Sequence, residues 1–245
     1  MNRDSRKVGL ARAMSKLGYC SRSRAAELIR AGRVTLNGAS RRSPETPVNL
    51  KKDRIDVDGK RLAAEAKLYF VLNKSQGVVT TASDEKGRKT VFASLGEKAS
   101  WVAPVGRLDK ASEGLLLMTN DSEWAARILA PETHLDKAYH VRVAAPVDEQ
   151  ILDSLVKGIK TDEGDVLRAK AARIVRGGER RTWVEIVLDE GRNRQIRRMF
   201  EQLGIEVLRL VRIAIGPLTL GDLPKGSSRP LTATEKRALD KAMQL

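Results

Sequence analysis

An uninterrupted apolar run at residues 115–118 constrains the fold of this chain most strongly. Four consecutive large apolar side chains are typical of a strand that is buried on both faces. A loop with a glycine at each end, residues 106–114, precedes the run and carries Asp109 at its centre, and Asn120 and Asp121 follow the run as the predicted N-cap of a helix. The pattern predicts a carboxylate that a buried strand presents rigidly on a loop.

The chain is strongly basic, with 46 Lys and Arg against 31 Asp and Glu, a formal charge of +15 and a pI near 10.2. Such a balance indicates a polyanionic partner, either nucleic acid or an anionic membrane surface. No apolar stretch approaches the ~20 residues that span a bilayer. The first seven residues also lack the apolar core of a secretory signal. We therefore expect a nucleic-acid partner, no membrane association and a cytoplasmic location.

The residues that commonly hold metals and cofactors are scarce. Cys20 is the only cysteine, which excludes an internal disulfide and a cysteine-based zinc site. The two histidines, His134 and His140, are too few for a metal centre. No glycine-rich phosphate loop precedes a predicted helix. The sequence therefore predicts neither a metal nor a cofactor, and in particular no nucleotide cofactor.

The positive charge is concentrated at the N-terminal end. Residues 1–62 carry sixteen Lys and Arg against six Asp and Glu, which is +10 of the total +15. We predict a small N-terminal domain over residues 8–62, a linker over 63–67 and a larger domain over 68–245. At 245 residues the chain is long enough for both domains to have a core.

The small domain is predicted to hold two helices, which end at Gly18 and Gly32, and short strands that include residues 34–36 and 55–57. Ser21 is the predicted cap of the second helix. Three basic side chains flank that helix and could follow a phosphate backbone: Arg22, Arg24 and Arg33. The alternative is a basic helix face that is only solvated.

The larger domain alternates strands and helices in an α+β manner. Strands are predicted at 68–74, 77–81 and 138–143, a charged loop at 84–88, and a hairpin from 166–175 and 182–188. A strand-to-helix junction at residues 190–200 then follows. Its four arginines must face anions or carboxylates: Arg192, Arg194, Arg197 and Arg198.

The loop and strand at residues 106–121 contain Gly-Arg-Leu-Asp, Ser-Glu-Gly-Leu-Leu-Leu and Thr-Asn-Asp, and this stretch resembles the catalytic motif of the bacterial ribosomal-RNA pseudouridine synthases. An Asp in such a local context is commonly a turn or capping residue, but the length of the match favours catalysis. The resemblance implies a mixed, mostly antiparallel sheet with flanking helices. It also implies that Asp109 attacks the target uridine.

Two further motifs carry the same resemblance. Lys-Ala-Tyr at 137–139 implies that Tyr139 packs on the target uracil, and the 190–200 segment implies that Arg197 pairs with Asp109 and keeps it ionised. The other arginines of that segment and Arg107 would then bind phosphates. The family commonly has proline where this chain has Ser75, and we expect that difference to affect only a turn.

Residues 21–38 resemble the RNA-binding module named after ribosomal protein S-four, which often precedes a synthase domain of this kind. The resulting hypothesis is a monomeric, cofactor-independent isomerase that acts on ribosomal RNA or a ribosomal assembly intermediate. Two alternatives remain: a catalytically silent RNA-binding ribosome-assembly factor, and a metal-dependent nuclease that would need a second acid such as Glu113. The target uridine, and whether Asp109 attacks sugar or base, stay open.

Overall fold

A computed structural model of the chain describes residues 7–81, 87–95 and 101–244. It divides into two compact units. The first comprises the described residues of 1–69, 97–103 and 118–126, and the second those of 70–96, 104–117 and 127–245. Two segments that the sequence analysis used lie outside the described residues. They are residues 1–6, at the N-terminus without the apolar core of a secretory signal, and residues 84–86 of the predicted charged loop.

The N-terminal part contains two helices and six short strands. They are β1 (Val8–Gly9), α1 (Leu10–Lys16), α2 (Arg22–Arg30), β2 (Val34–Leu36), β3 (Ala39–Ser40), β4 (Pro47–Val48), β5 (Ile55–Val57) and β6 (Lys60–Arg61). Within the described residues, four of the strands form an antiparallel sheet in the order β3-β2-β5-β6, and β1 pairs with β4. Leu10, Met14, Ala25 and Ile29 are fully buried between the two helices and these strands.

The local signals read from the sequence are confirmed in this part. The Ser21 hydroxyl accepts a hydrogen bond from the Arg24 amide at 3.1 Å and so caps α2. The β2–β3 turn has φ values of 53° at Asn37 and 81° at Gly38, as expected of a type I′ hairpin. Capping and turn chemistry therefore mark the ends of these elements.

The rest of the chain contributes eleven strands and four helices to the described structure. They are β7 (Tyr69–Lys74), β8 (Ala103–Pro104), β9 (Glu113–Thr119), α3 (Ser122–Leu129), β10 (Lys137–Val143), α4 (Glu149–Lys157), β11 (Ile159–Lys160), β12 (Val166–Leu167), β13 (Ala171–Arg176), β14 (Thr182–Leu188), α5 (Gln195–Gln202), β15 (Val207–Ile215), β16 (Leu218–Thr219), β17 (Ser228–Pro230) and α6 (Ala233–Ala242). Short 3₁₀ turns cover Val91–Ser94 and Pro131–Thr133. No helix in the described part of the chain is long and apolar enough to cross a membrane.

The strands of this part form a mixed sheet in the order β13-β14-β10-β15-β9-β7-β17. Outside this order, β16 pairs with β15 and β8 pairs with β9. The β15–β9 pairing is parallel, whereas β13–β14, β14–β10, β10–β15 and β17–β7 are antiparallel. This arrangement confirms the expected α+β fold with a small N-terminal domain and a mixed, mostly antiparallel sheet. Every residue of β9 is buried, as the apolar run predicted.

The sheet is covered unevenly. On one face, Val141 of β10 and Val184 and Ile186 of β14 are fully buried in a core that α4 and α5 complete through Leu155 and Phe200. The residues that alternate with these along β10 and β14 point to the opposite face of the sheet and are partly exposed. Buried and partly exposed residues therefore alternate along β10 and β14, because successive side chains of a strand point to opposite faces.

Two details of the prediction are wrong. Residues 166–175 do not form one strand, because β12 pairs with β11 and only β13 pairs with β14. Among the described residues at 77–81 there is a single bridge, Val79 to Thr90, in place of a strand. Both segments contain the apolar residues that are typical of a strand, but whether a strand forms also depends on which neighbouring strand the fold places beside it.

The boundaries 8–62 and 68–245 remain predictions, and the compact units differ from them. The first unit includes residues 118–126 as well as the basic domain. Within that unit Lys16 forms an ion pair with Glu123 at 2.6 Å, and the rings of Tyr69 and Trp124 contact edge to face at 5.0 Å. A cut after residue 62 would therefore divide a packed unit.

Candidate active site

The second unit contains a cleft of about 460 Å³. Asp109, Tyr139, Arg107, Arg192 and Arg194 all line it, so the fold brings five of the predicted site residues to one place although they lie up to 87 positions apart. Its size is in the range of pockets that hold small organic groups.

The loop that carries Asp109 depends on close backbone packing behind it. Gly114, the glycine of β9, has φ +99° and lies opposite Arg212 in the parallel β9–β15 pairing. A Cβ at position 114 would be 2.3 Å from the main-chain oxygen of Arg212. Glycine is therefore required there, and its absent side chain lets β15 approach the base of the Asp109 loop.

Lys74, at the end of β7, holds the same loop from within the protein. It is only 1% exposed, and its Nζ donates hydrogen bonds to the main-chain oxygens of Asp109 at 3.0 Å, Ser112 at 2.7 Å and Ser75 at 3.2 Å. Burial lowers the pKa of Lys74 to about 8, although the nearby charges of Asp109 and Glu113 act in the opposite direction. No side-chain hydrogen bond to the Asp109 carboxylate is formed within the described residues, so its main chain is fixed while the carboxylate stays available.

Glu113 is anchored in a different way. Its buried carboxylate accepts two hydrogen bonds from Arg209, at 2.8 and 3.1 Å, and pairs with Lys225 at 2.5 Å. Burial opposes its ionisation, but the bonds from Arg209 and Lys225 outweigh that effect and lower the pKa of Glu113. Glu113 is therefore an ionised structural anchor. No group of three or more His, Cys, Asp or Glu side chains in the described ranges is arranged to hold a metal ion.

Tyr139 shares its face of the sheet with two cations that sequence reasoning missed. Lys137 precedes it by two residues on β10, and Arg212 lies directly opposite it on β15. The Arg212 Nε donates to the Leu115 carbonyl oxygen at 2.7 Å, and its buried Nη2 has no partner among the described residues. Burial, together with the charge of Arg212, lowers the pKa of Lys137. Five cationic side chains line the cleft against the three carboxylates of Asp109, Asp189 and Glu190, so the cleft is positive overall.

Arg197 does not form the expected ion pair with Asp109. Its Nη1 donates to the Val207 carbonyl oxygen at 3.1 Å, its Nη2 donates to the Ala111 carbonyl oxygen at 3.2 Å, and its buried Nε has no partner in the described part of the chain. Burial and the neighbouring Arg194 lower the pKa of Arg197, against the charge of Asp109. Arg197 therefore contacts the main chain of the Asp109 loop at Ala111, two residues after Asp109.

The other predicted phosphate ligands fall into two groups. Arg194, in the left-handed region with φ 48° at the start of α5, and the exposed Arg107 line the cleft. Arg192 lines it as well but pairs with Glu190 at 3.0 Å. Arg198 bonds to Glu163 at 2.6 Å and to Asp165 at 3.0 Å and is not in the cleft. Carboxylates are therefore the partners of Arg192 and Arg198 in this cluster.

In the basic domain the three predicted arginines have different surroundings. Arg22 is exposed, Arg24 pairs with Glu27 at 2.9 Å, and Arg33 makes a bidentate pair with Asp58. Both of these pairs are exposed, and exposed ion pairs are weak because solvent screens them, so a phosphate could replace either carboxylate at small cost.

Comparison with known proteins identifies the family of the chain. The sequence model of the RNA pseudouridylate synthase family matches residues 68–202, and that of the S4 domain matches residues 8–55. The chain is 37% identical over 234 residues to the ribosomal large subunit pseudouridine synthase B of Bacillus subtilis, covering 94% of each chain. It is 39% identical over 239 residues to an RNA pseudouridine synthase of Aquifex aeolicus, covering 97% of this chain and 96% of the relative.

Among solved structures, a crystal structure of a pseudouridylate synthase is similar with a TM-score of 0.68 and 30% identity, over 95% of this chain and 99% of that chain. The match with the family model covers more than half of the chain and includes the whole Asp109 loop. The chain therefore belongs to the RNA pseudouridylate synthase family, whose members are isomerases acting on uridine in RNA, and it carries an N-terminal S4 domain.

Proposed function

We propose that this protein converts a specific uridine of ribosomal RNA to pseudouridine, with Asp109 as the nucleophile. One observation carries the proposal: Asp109 and Tyr139, which are 30 positions apart, line one positively charged cleft. A free RNA or a ribosomal assembly intermediate would each present such a uridine. Ribosomal RNA is the substrate class that the name of the Bacillus subtilis relative gives for that protein.

The reaction needs an unstacked base. A uridine flipped out of its helix loses stacking energy, and the Tyr139 ring would replace part of it. Asp109 would then help to break the bond between ribose C1′ and uracil N1. The uracil turns in place, C1′ bonds to C5, and the hydrogen lost from C5 is balanced by one gained at N1, so the composition of the RNA is unchanged.

The surroundings of Asp109 suit a nucleophile. Lys74 and Arg197 hold the main chain of its loop at Asp109, Ala111 and Ser112, so the carboxylate starts from a defined position. Lys137, Arg194 and Arg212 give the cleft a positive potential that would attract the phosphates on either side of the target uridine. No step in this scheme is assigned to a metal or a cofactor.

Direct chemical mapping tests the proposal. Ribosomal RNA from cells with and without the gene is mapped for pseudouridine, and the purified protein is incubated with unmodified ribosomal RNA in the presence of excess chelator. We expect one position, or very few, to depend on the gene and to be modified by the purified protein. A ribosomal RNA map that does not change would support the catalytically silent assembly factor and contradict the proposal.

Two further expectations belong to the proposal. We expect the protein to act as a monomer and to act where ribosomes are assembled, in the cytoplasm. Light scattering of the purified protein and fractionation of cells measure these two properties directly.

A further inference from the structure

The face of the sheet that lies opposite the cleft carries a row of basic and aromatic side chains. Arg176 of β13 pairs with Trp183 of β14, Trp183 pairs with Arg142 of β10, and Arg142 pairs with Arg209 of β15. Paired residues share a face, so these four side chains, here called the outer row, lie side by side across four strands. At ~4.8 Å per strand, the outer row is about 14 Å long.

The outer row lies on the other side of the sheet from the catalytic residues. Along β10, Tyr139 and Val141 face the cleft and the core, whereas Arg142 has the opposite parity. Along β15, Leu210 faces the cleft and Arg209 faces away from it. An RNA strand whose uridine occupies the cleft therefore cannot also lie on the outer row without passing around the sheet edge.

The charges of the outer row are only partly neutralised. Arg209 bonds to the buried Glu113, and its guanidinium carbon lies 5.9 Å from the centre of the Trp183 ring. Arg142 and Arg176 have no hydrogen bond or ion pair within the described residues, and Arg142 stands directly opposite the like-charged Arg209. Because Glu113 balances Arg209, the unbalanced positive charge of the outer row is that of Arg142 and Arg176, which an anionic partner would neutralise.

The neighbouring row shows that this charge is a local feature. Two residues away along β10 and β14, on the same face, Arg173 and His140 both contact Glu185, at 2.8 and 3.3 Å, so that row is internally neutralised. The hairpin beyond the outer row adds two exposed cations, Arg180 and Arg181. Positive charge therefore accumulates at the outer row and at the hairpin next to it.

We propose that the outer row binds a second, unpaired segment of the RNA substrate, with a base stacked against Trp183 and phosphates on Arg142 and Arg176. An indole ring gives a stacking surface only to a base that is not already stacked in a duplex, and arginines bind phosphates in either case. The inference rests on the proposed function for its choice of RNA as the partner. It would allow one protein to read two separated parts of a folded RNA.

The binding test uses the full-length protein and an unmodified ribosomal RNA transcript. The variant Arg142→Ala/Arg176→Ala is compared with Arg237→Ala/Lys241→Ala, which removes the same charge from exposed positions of α6. We expect the outer-row variant to bind on the order of tenfold more weakly and its log–log salt slope to fall by about 1.4, as for two lost single-strand phosphate contacts. The α6 variant should resemble the wild type.

A second measurement examines the stacking contact. RNA should quench tryptophan fluorescence in the wild type, and Trp183→Phe should lose that quench while it retains most of the affinity, because a phenyl ring still stacks. Circular dichroism and thermal unfolding show whether each variant is folded, and Arg142→Lys should retain phosphate binding if Arg142→Ala does not fold.

The opposite results are equally clear. A salt slope equal to that of the α6 variant, or a quench that persists in Trp183→Phe, would overturn the proposal. The proposal would also be overturned if the outer-row variant bound naked RNA normally but bound protein-containing ribosomal particles more weakly, because the partner of the outer row would then be a protein. Because binding needs no turnover, a wild type that shows this binding but forms no pseudouridine would disprove the proposed function and leave the outer-row inference intact.

Discussion

Lys74 Nζ donates a hydrogen bond to the main-chain oxygen of Asp109 at 3.0 Å, from a side chain that is 1% exposed. A buried ammonium group thus fixes the backbone of the residue that we propose as the nucleophile and leaves its carboxylate free. Burying a cation is costly, and here three carbonyl oxygens offset that cost.

The buried lysine should make stability depend on pH in a defined way. Its pKa is about 8 in the folded protein against 10.5 as an ordinary value, so between these pH values the unfolded chain holds a proton that the native protein lacks. The free energy of unfolding should therefore rise with pH from about 8 to 10.5 relative to that of Lys74→Met, which cannot titrate. Urea unfolding of both proteins across this range measures the difference, and parallel curves would contradict the expectation.

Replacing Asp109 with Asn removes the nucleophilic charge at nearly constant shape. We expect pseudouridine formation to fall by more than about a hundredfold, with folding and RNA affinity little changed. Single-turnover assays at saturating RNA give the rate. Product formation within tenfold of the wild type would show that Asp109 is not the nucleophile.

Arg197 and Arg198 are adjacent on α5 but should differ in effect. Arg197→Met leaves the carbonyl oxygens of Ala111 and Val207 without these donors, so we expect the turnover rate to fall on the order of tenfold while KM changes little. Arg198→Met removes an ion pair with Glu163 and Asp165 outside the cleft and is the matched control. A loss confined to KM for Arg197→Met would point to phosphate binding instead. Equal losses in turnover in the two variants would show that the effect is not specific to the contact with the Asp109 loop.

Gly114 should tolerate no side chain. An alanine Cβ would lie 2.3 Å from the Arg212 carbonyl oxygen, so we expect Gly114→Ala to lower the free energy of unfolding by more than about 3 kcal/mol. Gly77 also has a positive φ, of +85°, but an alanine Cβ at that position would have no atom within 4 Å. Gly77→Ala should therefore cost only about 1–2 kcal/mol, and a similar cost in the two variants would disprove the close-packing argument.

The basic domain should contribute affinity and leave the chemistry unchanged. The triple variant with alanine at Arg22, Arg24 and Arg33 should bind structured RNA more weakly at all sequences alike, with a lower salt slope of about 0.7–0.9 for each lost phosphate contact. Its single-turnover rate at saturating RNA should equal that of the wild type. An unchanged salt slope would mean that these arginines only solvate the domain.

Local sequence was sufficient for much of the fold. Ser21 caps the helix that it was expected to cap, and Asn37-Gly38 forms a tight turn directly after the predicted strand at residues 34–36. These features depend on hydrogen bonds and backbone preferences within a few residues, so distant contacts do not alter them. The apolar run within β9 was equally clear, because a run of consecutive large apolar residues is typical of a strand buried on both faces.

The long motifs of the sequence by themselves indicated the family, and the concentration of charge together with local capping and turn signals indicated the N-terminal domain. The resemblance to the family in turn implied that Asp109 and Tyr139 share one site. Only the tertiary structure decided what holds the site. Lys74 is 35 residues from Asp109 and Arg212 lies 98 residues after Gly114, and no local pattern marks such contacts. It also decided that Arg197 bonds to carbonyl oxygens beneath the loop, because the partners of a buried guanidinium depend on which strands and loops the fold brings within hydrogen-bonding distance.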